Sequence, residues 1–105
     1  MRYEVRRSAL ATQDIRDFAR YLKRSAGTAV ARTYLSALEH DLDVVIATRP
    51  RASGWLRETG QPYRAKLFRV GRSTWWIIYV VDDKHKCIDI VRLWSTVREP
   101  GTHSM

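Results

Sequence analysis

The sequence predicts an α+β domain, a two-helix hairpin packed on a small antiparallel sheet in the order β-α-α-β-β-β. Three observations carry this. Between residues 12 and 48 apolar side chains recur every three to four positions, the spacing of a helix with one buried stripe. From Tyr63 onward the apolar period becomes two, the period of a strand. The period-two segments are joined only by the short turns "GRS" and "DDKHK", and connections that short require antiparallel neighbours.

Each element has its own signal. "RYEVRR" alternates around Tyr3 and Val5, so a short first strand is expected at about residues 2 to 6. Thr12 is expected to cap the first helix, with Asp14 in its first turn at the positive end of the helix dipole. Ile15, Phe18, Ala19 and Leu22 then form the core stripe, and Gly27 is the stop signal. Thr28 is the expected cap of a second helix whose stripe runs through Ala31, Tyr34 or Leu35, Leu38, Leu42 and Val45. Pro50 ends it, because the residue before a proline disfavours the helical backbone. Residues 49–62, with Pro50, Gly54, Gly60 and Pro62, read as a loop. Strands are expected at 63–70, 74–82 and 87–94. Two amphipathic helices and one meander make a two-layer domain. It spans residues 1–98, and 99–105, "EPGTHSM", reads as a flexible tail.

Composition excludes several classes. The chain has 105 residues, enough for one core, and 45% of them are hydrophobic and 29% charged, which is ordinary for a folded protein. A single cysteine, Cys87, leaves no intramolecular disulfide. The longest apolar run, "WWIIYVV", is far too short for a membrane span. The N-terminus lacks the apolar segment of a signal peptide, so the cytoplasm is the expected location. His40, His85 and His103 stand at no metal-ligand spacing, so neither a metal nor another cofactor is expected. Asp41 and Asp43 are two apart on a helix and read as solvated charges rather than an acid–base pair.

The unusual quantity is charge. The formal net charge is +8, which on so small a domain favours acidic partners. Residues 1–48 carry eight basic and six acidic side chains, whereas residues 49–98 carry eleven basic and four acidic. The excess is therefore concentrated in the sheet half. "YRAKLFR", residues 63–69, puts Arg64 and Lys66 on one strand face and Tyr63, Ala65 and Leu67 on the other. The cationic row is expected to be the wet one and to meet a polyanion or an acidic partner. Arg92 and Trp94 are expected on one face of the last strand with Ile88 and Ile90, and Arg98 follows just beyond its end. A cationic sheet face with aromatic neighbours can bind phosphates and stack bases. Trp75, Trp76 and Trp94 serve either the core or a groove for a partner segment.

The element order and the stretches "PYRAKLFRVG", "WWIIYVVDD" and "IVRLWSTVREP" resemble the RelE/ParE superfamily of bacterial toxins, over about residues 2–99. The resemblance implies the same RelE/ParE-like helix hairpin on a small sheet, growth inhibition, and a cognate antitoxin protein wrapped over the toxin in a hetero-oligomer. Its two branches imply different targets: DNA gyrase for ParE, and mRNA in the ribosomal A site for RelE. If the chain is an enzyme, it is a ribosome-dependent endoribonuclease. Arg64, Lys66 and Arg98 match the cations of such a nuclease, which would stabilise charge at a scissile phosphate attacked by the RNA's own 2′-OH. Other positions depart from that pattern. Trp76 stands where the third strand would carry arginine, Ser95 stands where histidine is common, and Ser104 lies near the place of a C-terminal tyrosine. The broken nuclease set favours gyrase as the expected target. Arg64, Lys66, Arg92, Trp94, Arg98 and Trp76 are the expected contacts to target or partner, and a non-toxic relative that keeps only partner binding is the remaining alternative.

Overall fold

The computed structural model describes residues 2–52, 54–55 and 62–96. The elements are β1 (Glu4–Arg7), α1 (Ala9–Ala26), α2 (Thr28–His40), a π-helical turn (Asp41–Val45), α3 (Ile46–Thr48), β2 (Gly54–Trp55), β3 (Arg64–Val70), β4 (Ser73–Asp82) and β5 (Cys87–Ser95). The expected tail at 99–105 lies outside the described residues.

Chain passes from β1 to α1 through one residue. Ser8 N donates to Ile90 O at 3.0 Å, and Ser8 Oγ donates to Val91 O at 2.9 Å. The same Oγ accepts the N–H of Ala11 at 3.0 Å. Ser8, and not Thr12, is therefore the N-cap; the tie to β5 starts the helix four residues earlier than its apolar stripe indicates. Thr12 lies inside the first turn, where its Oγ1 donates to Ser8 O at 3.0 Å. Asp14 consequently falls in the second turn and has a different task, described below.

Gly27 ends α1, as expected, and also precedes α2 with φ +93°. That conformation is open to glycine and strained for other residues. Thr28 is thus the first helical residue and not the cap. The second stripe departs from a plain helical repeat at the π turn, whose wider i→i+5 bonding absorbs one extra residue. Leu38 and Leu42 are buried as expected, but the next buried positions are Ile46 and Ala47, while Val45 is half-buried. Tyr34 and Leu35 both pack against the core. The helix stops before Pro50, with Arg49 in a non-helical conformation.

The sheet has the strand order β1-β5-β4-β3-β2. β3, β4 and β5 form the expected antiparallel meander. Its first turn is tight, with φ +58° at Gly71. β1 pairs with β5 in parallel, so the sheet is mixed. Within the expected loop, the two-residue β2 pairs antiparallel with β3 and forms the far edge. The helices cover one sheet face. Between the layers lie Phe18, Leu22, Leu38, Leu42, Phe68, Ile77, Tyr79, Ile88 and Ile90. A smaller cluster on the other face joins Ile78 and Trp94 with Tyr63, Ala65, Trp76 and Val91.

Candidate functional site

The alternation in "YRAKLFR" is as expected, but its solvent exposure is reversed. Arg64 and Lys66 share their strand face with Phe68 and Val70, which belong to the core between sheet and helices. Arg64 is only 8% exposed, whereas Leu67, on the supposedly apolar row, is 44% exposed. Two compensations let the cations sit there. Lys66 Nζ donates to Asp41 Oδ2 at 3.0 Å, with the two side chains 25% and 18% exposed. Arg64 Nη1 lies 3.5 Å from the carbonyl oxygen of Arg51. Charges removed from water persist where partners receive them. Asp41 is accordingly no solvated helix charge.

A β-bulge overturns the expected alignment of Arg92 and Trp94 with Ile88 and Ile90. Ile78 pairs with Arg92 and Tyr79 with Ile90, so Val91 is an extra residue in β5. One additional residue changes which face the following side chains take. Ile88 and Ile90 face the helices, whereas Trp94 joins Ile78 on the opposite face. Arg92 reaches α1, where it pairs with Asp14. Its guanidinium carbon also stands 5.0 Å from the centre of the Trp94 ring, within cation–π range. Trp76 pairs across the strands with Trp94.

The described candidates therefore form separate groups. Arg64 and Lys66 lie under the end of the helix hairpin, while Trp76 and Trp94 lie on the other face. Arg92 is tied to the start of α1. Arg98 lies outside the described residues. Trp75 faces the helices, packed edge-on to Phe18 with ring centres 4.8 Å apart. A cleft of about 480 Å³ opens where α1 meets β4 and β5, with Phe18, Tyr21, Trp75 and Trp94 in its wall and Asp14 and Asp17 beside them. Two of the three tryptophans considered as groove residues thus border one cavity.

Sequence reading missed Asp14, Asp41 and Tyr79. Asp41 carries a legible signal, since it lies three residues after the stripe residue Leu38. A carboxylate at such a position turns toward the core and needs a partner. Asp14 carries none, because Ala11, three residues before it, precedes the expected cap and its burial follows from the earlier start of α1. Tyr79 is fully buried, and its hydroxyl donates to Pro50 O at 2.7 Å, anchoring the chain where it leaves α3. Among the described residues no helix is long and apolar enough to cross a membrane.

Among the solved structures that the chain resembles are three of toxins or toxin–antitoxin systems. The chain resembles one in the toxin–antitoxin complex RelBE2 from Mycobacterium tuberculosis, with a TM-score of 0.64, 20% identity, and coverage of 90% of this chain and 99% of that one. It resembles one from a chromosomal ParDE toxin–antitoxin system of P. aeruginosa, with a TM-score of 0.62 and 14% identity over 89% of this chain and 95% of that one. It also resembles a mutant of the E. coli toxin RelE in the free state, with a TM-score of 0.61 and 17% identity over 96% of this chain and 90% of that one. No curated protein matches it. At these identities the likenesses establish the shared α+β fold. The profile of the ParE toxin of the type II toxin–antitoxin system parDE matches residues 5–100. By that match, which spans nearly all of its sequence, the chain belongs to the ParE toxin family of type II toxin–antitoxin systems.

Proposed function

We propose that this toxin arrests bacterial growth by binding DNA gyrase in the cytoplasm, without cutting RNA, and that a cognate antitoxin holds it off. The observation that carries the choice of target is the pair between Lys66 and Asp41. A RelE-like nuclease would need Lys66 aimed at a scissile phosphate, and here its charge is already matched by a carboxylate beneath the helix layer. Trp76, on the opposite face, supplies no charge where that mechanism would use arginine. The family match is to the ParE branch, which favours the same target.

The antitoxin is supported by the resemblance to chains from toxin–antitoxin systems. The cleft bordered by Phe18, Tyr21, Trp75 and Trp94 offers an amphipathic antitoxin segment apolar area beyond what charge alone provides. Such a complex survives added salt better than a purely electrostatic one.

Brief induction in a bacterial host, followed by primer extension of cellular mRNA, tests the target together with a supercoiling assay on purified gyrase. The expected result is growth arrest, loss of gyrase supercoiling and no new mRNA 5′ ends. Ribosome-dependent mRNA ends, with gyrase unaffected, would transfer the activity to a nuclease using Arg64, Lys66 and Arg98. Unimpaired growth at verified soluble expression would leave a partner-binding relative without toxicity.

A further inference from the structure

We propose that Asp41 is a specificity-determining residue that withholds Lys66 from polyanions, so that this basic toxin does not use its cationic strand to hold a phosphate backbone. The chain has four lysines, and Lys23, Lys84 and Lys86 are all exposed. Lys66 alone is half-buried, with its ammonium on Asp41 Oδ2 at 3.0 Å and within 3.4 Å of the Leu67 carbonyl. Asp41 opens the π-helical turn, and its carbonyl accepts the N–H of Ile46. The carboxylate is thereby held by a fixed backbone over β3. At 25% and 18% exposure the pair is less screened by salt than a surface ion pair.

Two effects then act against a phosphate at Lys66. It must displace a carboxylate already in place, and the displaced Asp41 remains beside it as a like charge in a partly desolvated site. An interface gains specificity from a built repulsion as well as from attraction. Without such a device, a protein of net charge +8 would add Lys66 to a general attraction for RNA and DNA, which is largely independent of sequence. This inference does not require gyrase to be the target, because it concerns what the strand excludes.

The test is fluorescence anisotropy with a labelled single-stranded RNA oligonucleotide, titrated with purified protein between about 50 and 200 mM salt. Wild type, Asp41→Asn, Lys66→Ala and the double variant are compared, with circular dichroism to verify folding. Asp41→Asn should bind on the order of fivefold tighter at the low-salt end, with a salt slope steeper by about 0.7, the signature of one more phosphate contact. In the Lys66→Ala background the same substitution should leave the slope unchanged. Equal slopes for wild type and Asp41→Asn, or the same gain in both backgrounds, would overturn the proposal. A second measurement needs no variant: acylation of the native protein, mapped by mass spectrometry, should label Lys66 more slowly than the other three lysines. Labelling of Lys66 at the rate of Lys84 would equally overturn it.

Discussion

Arg92 and Asp14, which lie 78 residues apart in sequence, form a two-pronged ion pair: Nε to Oδ2 at 2.7 Å and Nη2 to Oδ1 at 3.1 Å. Oδ2 also accepts the backbone N–H of Leu93 at 3.0 Å. β1 ends opposite Ile90, so β5 beyond that residue would present a free edge. Ser8 and Asp14, both from the start of α1, occupy it instead. The pair locks the first helix to the last strand at the bulge, where Arg92 also touches the Trp94 ring.

Asp14→Ala should accordingly destabilise the fold by about 2 to 4 kcal/mol, because it strands a partly buried guanidinium and leaves an edge N–H without its acceptor. Arg92→Ala should cost less, since Leu93 keeps its bond to Asp14. The double variant should lose less than the sum of the two. Urea unfolding of the four proteins measures this. Additive losses would show that the two side chains act independently.

Arg64 and Lys66 should contribute to stability, contrary to what a wet cationic strand face would imply. Lys66→Ala leaves Asp41 without its partner in a half-buried site, and Arg64→Ala empties space under the helix layer. A loss of about 1 to 3 kcal/mol is expected for each. Arg69→Ala and Arg72→Ala, at exposed positions, should stay within about 0.5 kcal/mol of wild type. Thermal melts of the four variants discriminate, and the growth effect of the first two is interpretable only once folding is verified.

Tyr79→Phe removes the buried hydroxyl that bonds Pro50. The ring keeps its place between the layers, while Pro50 loses the hydroxyl bound at 2.7 Å. The expected cost is about 1 to 2 kcal/mol, read as a shift in the urea midpoint with an unchanged slope. A changed slope would show that the segment after α3 loosens along with the lost bond.

The β4–β5 turn carries an acid-sensitive contact. His85 Nδ1 lies 2.8 Å from Asp82 Oδ2, and the His85 N–H donates to Asp82 Oδ1 at 3.2 Å. The side-chain bond from His85, followed by the backbone bond, holds the Asp82 carboxyl below its ordinary value of 3.8. A depressed folded-state value means that the contribution is complete above 3.8 and is lost as pH falls through the lower folded value. NMR titration of the Asp82 carboxyl carbon should show a midpoint below 3.8 that returns toward it in His85→Ala. An unchanged midpoint in the variant would assign the shift to another group.

Periodicity alone determined the order of the longer elements, because a helix stripe and a strand row repeat at different intervals whatever the surroundings; the two-residue β2 is too short to show a period. The stop at Gly27, the helix end before Pro50 and the meander from Tyr63 follow from local backbone chemistry in the same way. The family was also legible, carried by "PYRAKLFRVG", "WWIIYVVDD" and "IVRLWSTVREP". Tertiary structure decided which face of β3, and of β5 beyond its bulge, is wet. The row of Arg64 and Lys66 could be read as exposed because a strand's alternation separates two faces without saying which one the helices cover. Phe68 and Val70 settle that only once the helix layer closes over them, with Phe18 edge-on to Phe68. The bulge at Val91 reassigns Trp94, and the π turn moves the buried position from Val45 to Ile46. Asp14 and Asp41 gain their roles from strands 78 and 25 residues away. One inserted residue reverses a face or advances a stripe, and a charge is buried only where another element brings its partner; both depend on packing between segments far apart in the chain.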